Sequence, residues 1–184
     1  MMKSAVFLLL LCSVLTGCSP RDGNHRKHDR SGRLMSDTQY QNGKIHGKEI
    51  EYHPSGRVKR EADYVQGFKN GIEKFYDEKG NLTAEIGYAN GKVHGMTRQY
   101  YPNKKIKSKL PYRNGLLEGE SQWFYPNGRL QAVSVYSGGK KNGTTKSYEE
   151  DAGALLFIEE YQDDRRVRRT EYDPEGRVTA VRSS

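Results

Sequence analysis

An aromatic residue returns every twelve residues along most of this chain, and that spacing restricts the fold more than any other feature. Phe124 stands at one of the positions in step, and tyrosine stands at the others: Tyr40, Tyr52, Tyr64, Tyr76, Tyr88, Tyr100, Tyr112, Tyr136 and Tyr148. A recurrence this regular predicts a repeated structural unit. A residue therefore indicates a functional site only where it departs from the repeat.

The full unit has 24 residues and carries two kinds of turn signal. Pairs such as Asn42-Gly43 are typical of a type I′ hairpin turn, and segments such as Pro54–Gly56 are typical of a Pro-x-Gly turn. Copies begin at Tyr40, Tyr64, Tyr88, Tyr112 and Tyr136, with looser copies from Tyr161 and Tyr172 and a half copy from Ser31. Two turns per unit predict a long antiparallel meander of β-hairpins.

Alternation within the predicted strands supports this interpretation. Leu82, Ala84, Ile86 and Tyr88 alternate with other residues, as expected of a strand with one half-buried face. Only 34% of residues are hydrophobic, which is low for a compact core. We expect an all-β, elongated, nearly single-layer twisted sheet. We also expect the tyrosines to form one row, beside strand glycines such as Gly47 that leave room for their rings.

The N-terminal residues predict export and lipidation. Lys3 precedes an apolar run that is shorter than the ~20 residues of a membrane-spanning helix, so residues 1–17 are predicted to be a signal peptide. Leu15-Thr16-Gly17-Cys18 resembles a bacterial lipobox, which implies lipidation of Cys18. The alternative is an ordinary signal peptide that is cut nearby. Ser19 implies sorting to the outer membrane, with the protein facing the periplasm.

Residues 18–30 are predicted to be a flexible basic tether, because Ser19 to Arg30 contains no apolar residue, and residues 31–184 are predicted to be the repeat domain. His25 and His28 fit a solvated tether better than a metal site. Cys12 lies in the predicted signal peptide and Cys18 would carry lipid, so no disulfide is expected. The formal net charge of +8 leaves three interpretations open: an anionic membrane surface, an acidic protein partner, or solubility. Export makes nucleic acid an unexpected partner.

The repeated pattern that begins "YQNGKIHG" at Tyr40, with its Pro-x-Gly turn, resembles the MORN-variant repeat family of bacteria from Ser31 to the C-terminus. That resemblance implies a binding protein, often lipid-anchored, related to antitoxins or to immunity proteins against toxins delivered into the envelope. It supplies no catalytic motif. His46 and His94 share one repeat position, and no nucleophile motif or phosphate loop is present, so we expect a non-enzyme without cofactor or metal.

Two departures from the repeat are candidate partner-binding sites. If a three-residue turn spans Pro126–Gly128, one face opposite the Leu130 row would hold an aromatic and aliphatic patch: Trp123, Tyr125, Val133, Val135 and Tyr101. A second layer covering these residues is the alternative. The segment from Asp163 to Arg169 gathers four arginines: Arg165, Arg166, Arg168 and Arg169. It is predicted to be a charged edge strand, or a docking site for an acidic partner or lipid headgroups.

The sequence thus favours a lipid-anchored periplasmic protein that binds and neutralises a toxin acting in the cell envelope. The alternative is a structural scaffold or spacer of the outer membrane with a basic lipid-facing surface.

Overall fold

The computed structural model describes residues 21–183, and all of their regular structure is β-strand. The strands are β1 Gly23–His28, β2 Leu34–Gln41, β3 Lys44–Tyr52, β4 Val58–Val65, β5 Phe68–Lys69, β6 Gly71–Tyr76, β7 Leu82–Ala89, β8 Lys92–Val93, β9 Gly95–Tyr100, β10 Ile106–Arg113, β11 Leu116–Leu117, β12 Gly119–Phe124, β13 Leu130–Ser137, β14 Lys140–Tyr148, β15 Leu155–Gln162, β16 Arg165–Tyr172 and β17 Val178–Ser183.

These strands form one open antiparallel sheet in which pairing follows chain order from β1 to β17. Three two-residue strands share a partner with the strand that follows them. Both β5 and β6 pair with β4, both β8 and β9 pair with β7, and both β11 and β12 pair with β10. The predicted meander of repeated hairpins is confirmed.

Both predicted turn types are present. Asn42 and Gly43 have φ of 51° and 69°, so both turn residues have the positive φ that a type I′ turn requires. At the Pro-x-Gly turns, the Gly56 N–H donates to the His53 carbonyl and the His53 N–H donates to the Arg57 carbonyl, each at 2.8 Å. This is a type I turn that ends in a residue of positive φ. The two turn types lie at opposite edges of the sheet.

Successive turns on the Asn-Gly edge are joined to each other by backbone hydrogen bonds. The Gly67 N–H donates to the Ile45 carbonyl at 2.8 Å, and the Gly91 N–H donates to the Lys69 carbonyl at 2.9 Å. Gly115, Gly139 and Asp164 repeat this bond at later turns. The bond closes only when one turn lies directly beside the next, so it depends on nearly constant repeat length.

The register separates the side chains onto two faces. Face A carries residues such as Ala62, Ser121 and Ser134, and face B carries residues such as Lys74 and Lys109. From β2 to β14, away from the bulges, residues paired across neighbouring strands have one odd and one even number, so a given parity changes face from each strand to the next. Between β14 and β15 the paired residues have equal parity, as Thr145 and Glu159 do. A spacing of twelve is even, and the aromatic residues therefore alternate between faces.

The predicted single row of tyrosines is accordingly wrong, because there are two rows. One lies on face A near the Asn-Gly edge and includes Tyr64 and Tyr136. The other lies on face B near the Pro-x-Gly edge, where the hydroxyl of Tyr76 donates to Glu61 at 2.7 Å. Burial, and then the hydrogen bond to Glu61, raises the pKa of Tyr76 to about 12.

The glycines inside strands serve a different purpose from the one predicted. Gly47 has φ of 96°, and a Cβ there would lie 2.0 Å from Oε1 of Gln39. That oxygen accepts a hydrogen bond from the Lys48 N–H at 2.8 Å. The glycine therefore permits an irregularity in pairing, which the Gln39 side chain fills. The side chain that lies over Gly47 belongs to Gln39, the residue before Tyr40, and is not a tyrosine ring.

The prediction of a flexible tether is wrong for Gly23–His28. This segment is β1, which pairs with β2, and Arg26 forms an ion pair with Asp37 at 2.9 Å. The His25 ring lies edge-on to Tyr40, with 4.8 Å between ring centroids. An edge strand needs only backbone pairing on one side, so it forms without apolar residues. The signal peptide and Cys18 lie outside the described residues.

The prediction of an edge strand at the arginine segment is also wrong. Arg165–Tyr172 is the interior strand β16, which is paired on one side with β15 and on the other with β17. The residues after Tyr172 form one more strand, β17, and β17 is the edge of the sheet.

Lys104 provides a test of the turn geometry. It occupies the position that glycine takes in the equivalent turns and has φ of 66°, a conformation that costs a non-glycine residue roughly 1–2 kcal/mol. Lys104→Gly is expected to raise the free energy of unfolding by about 0.5–1 kcal/mol after the backbone entropy of glycine is subtracted. Thermal unfolding followed by circular dichroism measures the change. Ser55→Gly, at a turn position of negative φ, is the control and should give no gain.

Candidate binding surface

The most buried side chains all lie on face A, and most are small and polar. The side chains of Ser121, Ser108 and Ser134 are 0–2% exposed, although no second layer covers them in the described residues. They form part of a central row that runs across the strands between larger side chains. Small residues therefore form the floor of face A, and aromatic rings rise on either side of it.

A groove on face A follows from this arrangement near the C-terminal third of the sheet. Its lining residues are Trp123, Ala132, Ser134, Tyr136, Lys141, Thr145, Ser147, Phe157 and Glu159. The hydroxyls of Ser134 and Thr145 are hydrogen-bonded to each other on the floor at 2.8 Å. We call this site the face A groove.

Glu159 closes one end of the groove. Arg166 and Arg169 each donate to its Oε1 at 2.9 Å, and the hydroxyl of Tyr161 donates to Oε2 at 2.8 Å. Burial raises the pKa of Glu159, but these hydrogen bonds outweigh burial and hold it below its ordinary value. A carboxylate held ionised by two guanidiniums is suited to structure and recognition more than to proton transfer.

A second ionic network lies on face A towards the N-terminus. Arg60 donates to Glu49 at 2.6 Å and to Glu51 and Glu73 at 2.7 Å, and Lys69 also reaches Glu73. Burial raises the pKa of Glu73, but the hydrogen bonds from Lys69 and Arg60 lower it below 4.5. The central row of face A from Ile86 to Thr145 contains no ionisable side chain, so the groove adjoins a neutral stretch.

The predicted aromatic and aliphatic patch does not form. Trp123 pairs with Ala132 on face A, whereas Val133 and Val135 lie on face B. With the predicted three-residue turn at Pro126–Gly128 and no bulge beyond it, Trp123 would face Gln131. In the structure Phe124 pairs with Leu130 and Trp123 with Ala132, so Gln131 is an extra residue. Such a bulge changes the face of every residue beyond it.

Tyr101 and Tyr125 join neighbouring units instead of forming that patch. The Tyr101 hydroxyl donates to the Phe124 carbonyl at 2.8 Å, and the Tyr125 hydroxyl donates to the Tyr148 carbonyl at 2.9 Å. His53, at the same repeat position, bonds the Tyr76 carbonyl at 2.9 Å through Nε2. His53, Tyr101 and Tyr125 thus each reach the end of a strand in the next unit, whereas Asp77 at the same repeat position bonds Lys79 and Asn81 within its own turn.

The four predicted arginines are divided between locations. Arg166 and Arg169 belong to the Glu159 network on face A, and the Arg169 guanidinium lies 3.8 Å from the centroid of the Phe157 ring. Arg168 lies on face B, 3.8 Å from Glu160, and Arg165 lies beside the turn, paired with Gln162. Two of the four therefore contribute to one end of the groove.

Sequence reasoning missed the groove residues other than Trp123. Tyr136 and Phe157 form its aromatic walls together with Trp123, and burial raises the pKa of Tyr136. The pairing places even residues of β13 on the same face as odd residues of β12, β14 and β15. Using this pairing required knowing that Gln131 is a bulge.

Across residues 21–183, no group of histidine, cysteine or acidic side chains has the arrangement of a metal site. The same residues contain no helix of the length and apolarity needed to cross a membrane.

The fold defines a class, a repeat protein built from hairpins that form one open sheet. The family model described as "MORN repeat variant" matches residues 45–66, 69–90, 93–114 and 117–137. The chain is a MORN-repeat protein. Further hairpins precede and follow the four matched segments, so the structural repeat extends beyond them.

Other comparisons add no argument. No curated protein matches the sequence. Among solved structures, a complex of a mutant S. aureus TarM with Fondaparinux, alpha-GlcNAc-glycerol and UDP is similar at 12% identity and a TM-score of 0.32. The match covers 71% of this chain and 22% of that chain, so this chain spans less than a quarter of that relative.

Tyr125→Phe tests the bond between units. The change removes one hydroxyl and leaves the Tyr148 carbonyl without that donor, so the free energy of unfolding should fall by about 1 kcal/mol. Denaturant unfolding measures it. Tyr172→Phe is the control, because the Tyr172 hydroxyl makes no hydrogen bond to the described residues. An equal loss in both variants would contradict the assigned role.

Acid should weaken the Arg60 network. A carboxyl whose pKa is lower in the folded state stabilises the fold above its unfolded pKa, and this stability is lost as the pH falls through the folded value. We expect the melting temperature to decline below about pH 4.5, the ordinary pKa of Glu73. Thermal unfolding at a series of pH values should show a shallower decline for Glu73→Gln. An unchanged slope would contradict the assignment.

Proposed function

We propose that this protein is a lipid-anchored protein of the cell envelope that binds another protein and acts as an immunity or antitoxin-like factor against a toxin acting in the periplasm. The face A groove is the observation that carries this proposal. It offers aromatic walls beside a neutral hydroxyl-lined floor on an open sheet, a combination suited to gripping a side chain or a loop of a partner.

The chemistry of the groove favours a protein partner. Trp123, Tyr136 and Arg169 are of the residue types that contribute most to protein interfaces when they are desolvated. The Ser134 and Thr145 hydroxyls offer adaptable hydrogen bonds, and the paired Glu159 keeps the end of the groove from presenting an unneutralised charge. None of these features implies catalysis. Binding alone would be sufficient to block a toxin.

The lipid anchor and the outer-membrane location are supported by the sequence from Leu15 to Ser19. A lipidated Cys18 would hold the sheet close to the periplasmic surface of the membrane. Because β1 begins at Gly23, only a few residues would separate the lipid from the folded sheet. The partner would therefore be met near the membrane, where a toxin that acts in the envelope has its target.

A scaffold or spacer of the outer membrane is the second candidate. The observation that favours it is a group of basic side chains on face B, namely Lys92, Arg98, Lys109 and Arg113, in a stretch with no aspartate or glutamate between Glu85 and Glu118. A surface of this kind is attracted to anionic headgroups.

Capture in cells tests the groove. A full-length chain with a C-terminal affinity tag is produced in toxin-exposed cells, cross-linked, and purified from the envelope. Recovery of one stoichiometric partner, lost in Trp123→Ala together with protection against the toxin, is the expected result.

Phe124→Ala is the matched control, because it removes the adjacent ring of the same strand from face B. Circular dichroism checks that both variants are folded. Recovery of lipid alone, or equal loss of the partner in both variants, would move the assignment to the scaffold.

A further inference from the structure

The residue that follows each turn on the Pro-x-Gly edge is basic in most units. In three units its side chain donates a hydrogen bond to a carbonyl of the next turn: Arg57 to Glu78 at 2.9 Å, Lys105 to Asn127, and Arg129 to Glu150 at 3.4 Å. A basic side chain thus fills the gap between neighbouring turns in these units.

The methylene stems of two of these side chains lie over the third turn residue's glycine neighbour in the next unit. A Cβ placed on Gly80 would lie 3.9 Å from Cδ of Arg57, and a Cβ placed on Gly128 would lie 3.3 Å from Cδ of Lys105. In the described residues, no atom beyond its chain neighbours lies within 4 Å of a Cβ placed on Gly176. The gap before the last of these turns is therefore open.

The sequence explains why this gap is open. Ala154 follows Gly153 at the repeat position that Arg57 occupies in its own unit. A methyl group cannot reach the next turn, and the carbonyls of Pro174 and Glu175 accept no hydrogen bond from residues 21–183. This unit thus has the gap and the free carbonyls without the basic side chain that occupies them elsewhere.

A pocket of about 260 Å³ lies at this gap. Its lining residues are Glu149, Ala152, Ala154, Leu155, Leu156, Tyr172, Asp173 and Pro174. Most of them are apolar or aromatic, so the pocket can pack against the methylene groups of a long side chain. We call this site the turn pocket.

Carboxylates surround the turn pocket. Glu149 and Asp173 line it, and Glu150 and Asp151 are exposed in the same turn as Glu149. Asp173 is paired with Arg177 at 2.7 Å, whereas Glu150 and Asp151 form no ion pair within the described part of the chain. The rim therefore carries net negative charge, which attracts a cation.

Two other gaps on this edge are also open, but each contains a basic side chain. At the first, Arg33 is paired with Asp29 of its own turn at 2.7 Å, and Arg33 and Lys59 both line the pocket. At the second, Asn81 replaces the basic residue and Lys104 lines the pocket. A cation from outside would be repelled at both, so the turn pocket differs from them in charge.

We propose that the turn pocket binds an arginine side chain of a partner protein. The methylene stem lies over Gly176, and the guanidinium donates to the carbonyl of Pro174 or Glu175, as Arg57 and Arg129 do to other turns within the chain. Arginine suits the site because its five N–H donors can serve a carbonyl and the rim carboxylates together. The turn pocket is separate from the face A groove, so the inference does not depend on a toxin.

Nuclear magnetic resonance provides the test. The isotope-labelled full-length protein, purified in detergent, is titrated with N-acetylarginine amide, and the backbone amide shifts are recorded. Saturable shifts are expected at Gly153 and Gly176. N-acetylcitrulline amide, a neutral probe of nearly the same shape, should cause none. Equal binding of the two probes, or shifts spread evenly over carboxylates elsewhere, would overturn the proposal.

Ala154→Arg supplies the gap with a basic side chain of the chain's own. The probe should no longer bind, and the melting temperature should rise by about 2–4 °C, the effect of one added hydrogen bond in a chain of this size. The matched control is Ser55→Arg, which adds the same charge at an exposed turn position and should change neither quantity. Undiminished probe binding by Ala154→Arg would contradict the proposal.

The acidic rim is tested by Glu150→Gln/Asp151→Asn. We expect binding of N-acetylarginine amide to weaken about fivefold, from the loss of two exposed charges. Glu78→Gln/Glu120→Gln removes the same charge from other units and should leave affinity unchanged. No loss in the rim variant, or equal loss in both variants, would count against a site at this pocket.

Discussion

Backbone hydrogen bonding between adjacent strands is the interaction on which the rest of this structure depends. Ala62 is the one apolar side chain that is fully buried within residues 21–183, so the sheet has almost no hydrophobic core of the usual kind. Each hairpin is held by the hairpins beside it, and the bonds from Gly67 to Ile45 and from Tyr125 to Tyr148 add connections between units. Stability is therefore expected to accumulate from neighbour to neighbour, as in other repeat proteins.

This construction leaves both faces of the sheet open and allows them to differ. On face A, ionic networks around Arg60 and Glu159 pair the buried carboxylates, and the groove has a hydroxyl-lined floor between aromatic walls. On face B, charged side chains sit in rows at half-exposed positions, as the pairs Lys74–Glu61 and Arg98–Glu85 do. One repeated backbone thus supports two surfaces of different chemistry, because side chains alternate along each strand.

A bulge that recurs beside the Pro-x-Gly turn of each unit decides which residues share a face, as Thr83, Lys107 and Gln131 illustrate. The extra residue at Gln131 places Trp123 on the same face as Tyr136 and Phe157, whereas a regular hairpin would have placed it with Val133. The arginines of β16 are likewise divided between faces, and a bulge at Val167 places Arg166 on the same face as Arg169. A cluster in sequence is therefore not a cluster in space here, and the groove was found only after the pairing was known.

The sequence by itself determined the repeat length, the two turn types and the antiparallel meander, because these follow from local spacing and from the φ that each turn residue adopts. Only the tertiary structure decided which residues share a face, that Gly23–His28 pairs as an edge strand, and that Tyr101 and Tyr125 bond to neighbouring units. The physical reason is that a bulge of one residue reverses the side-chain alternation, and an edge strand forms by backbone pairing that leaves little trace in side-chain pattern.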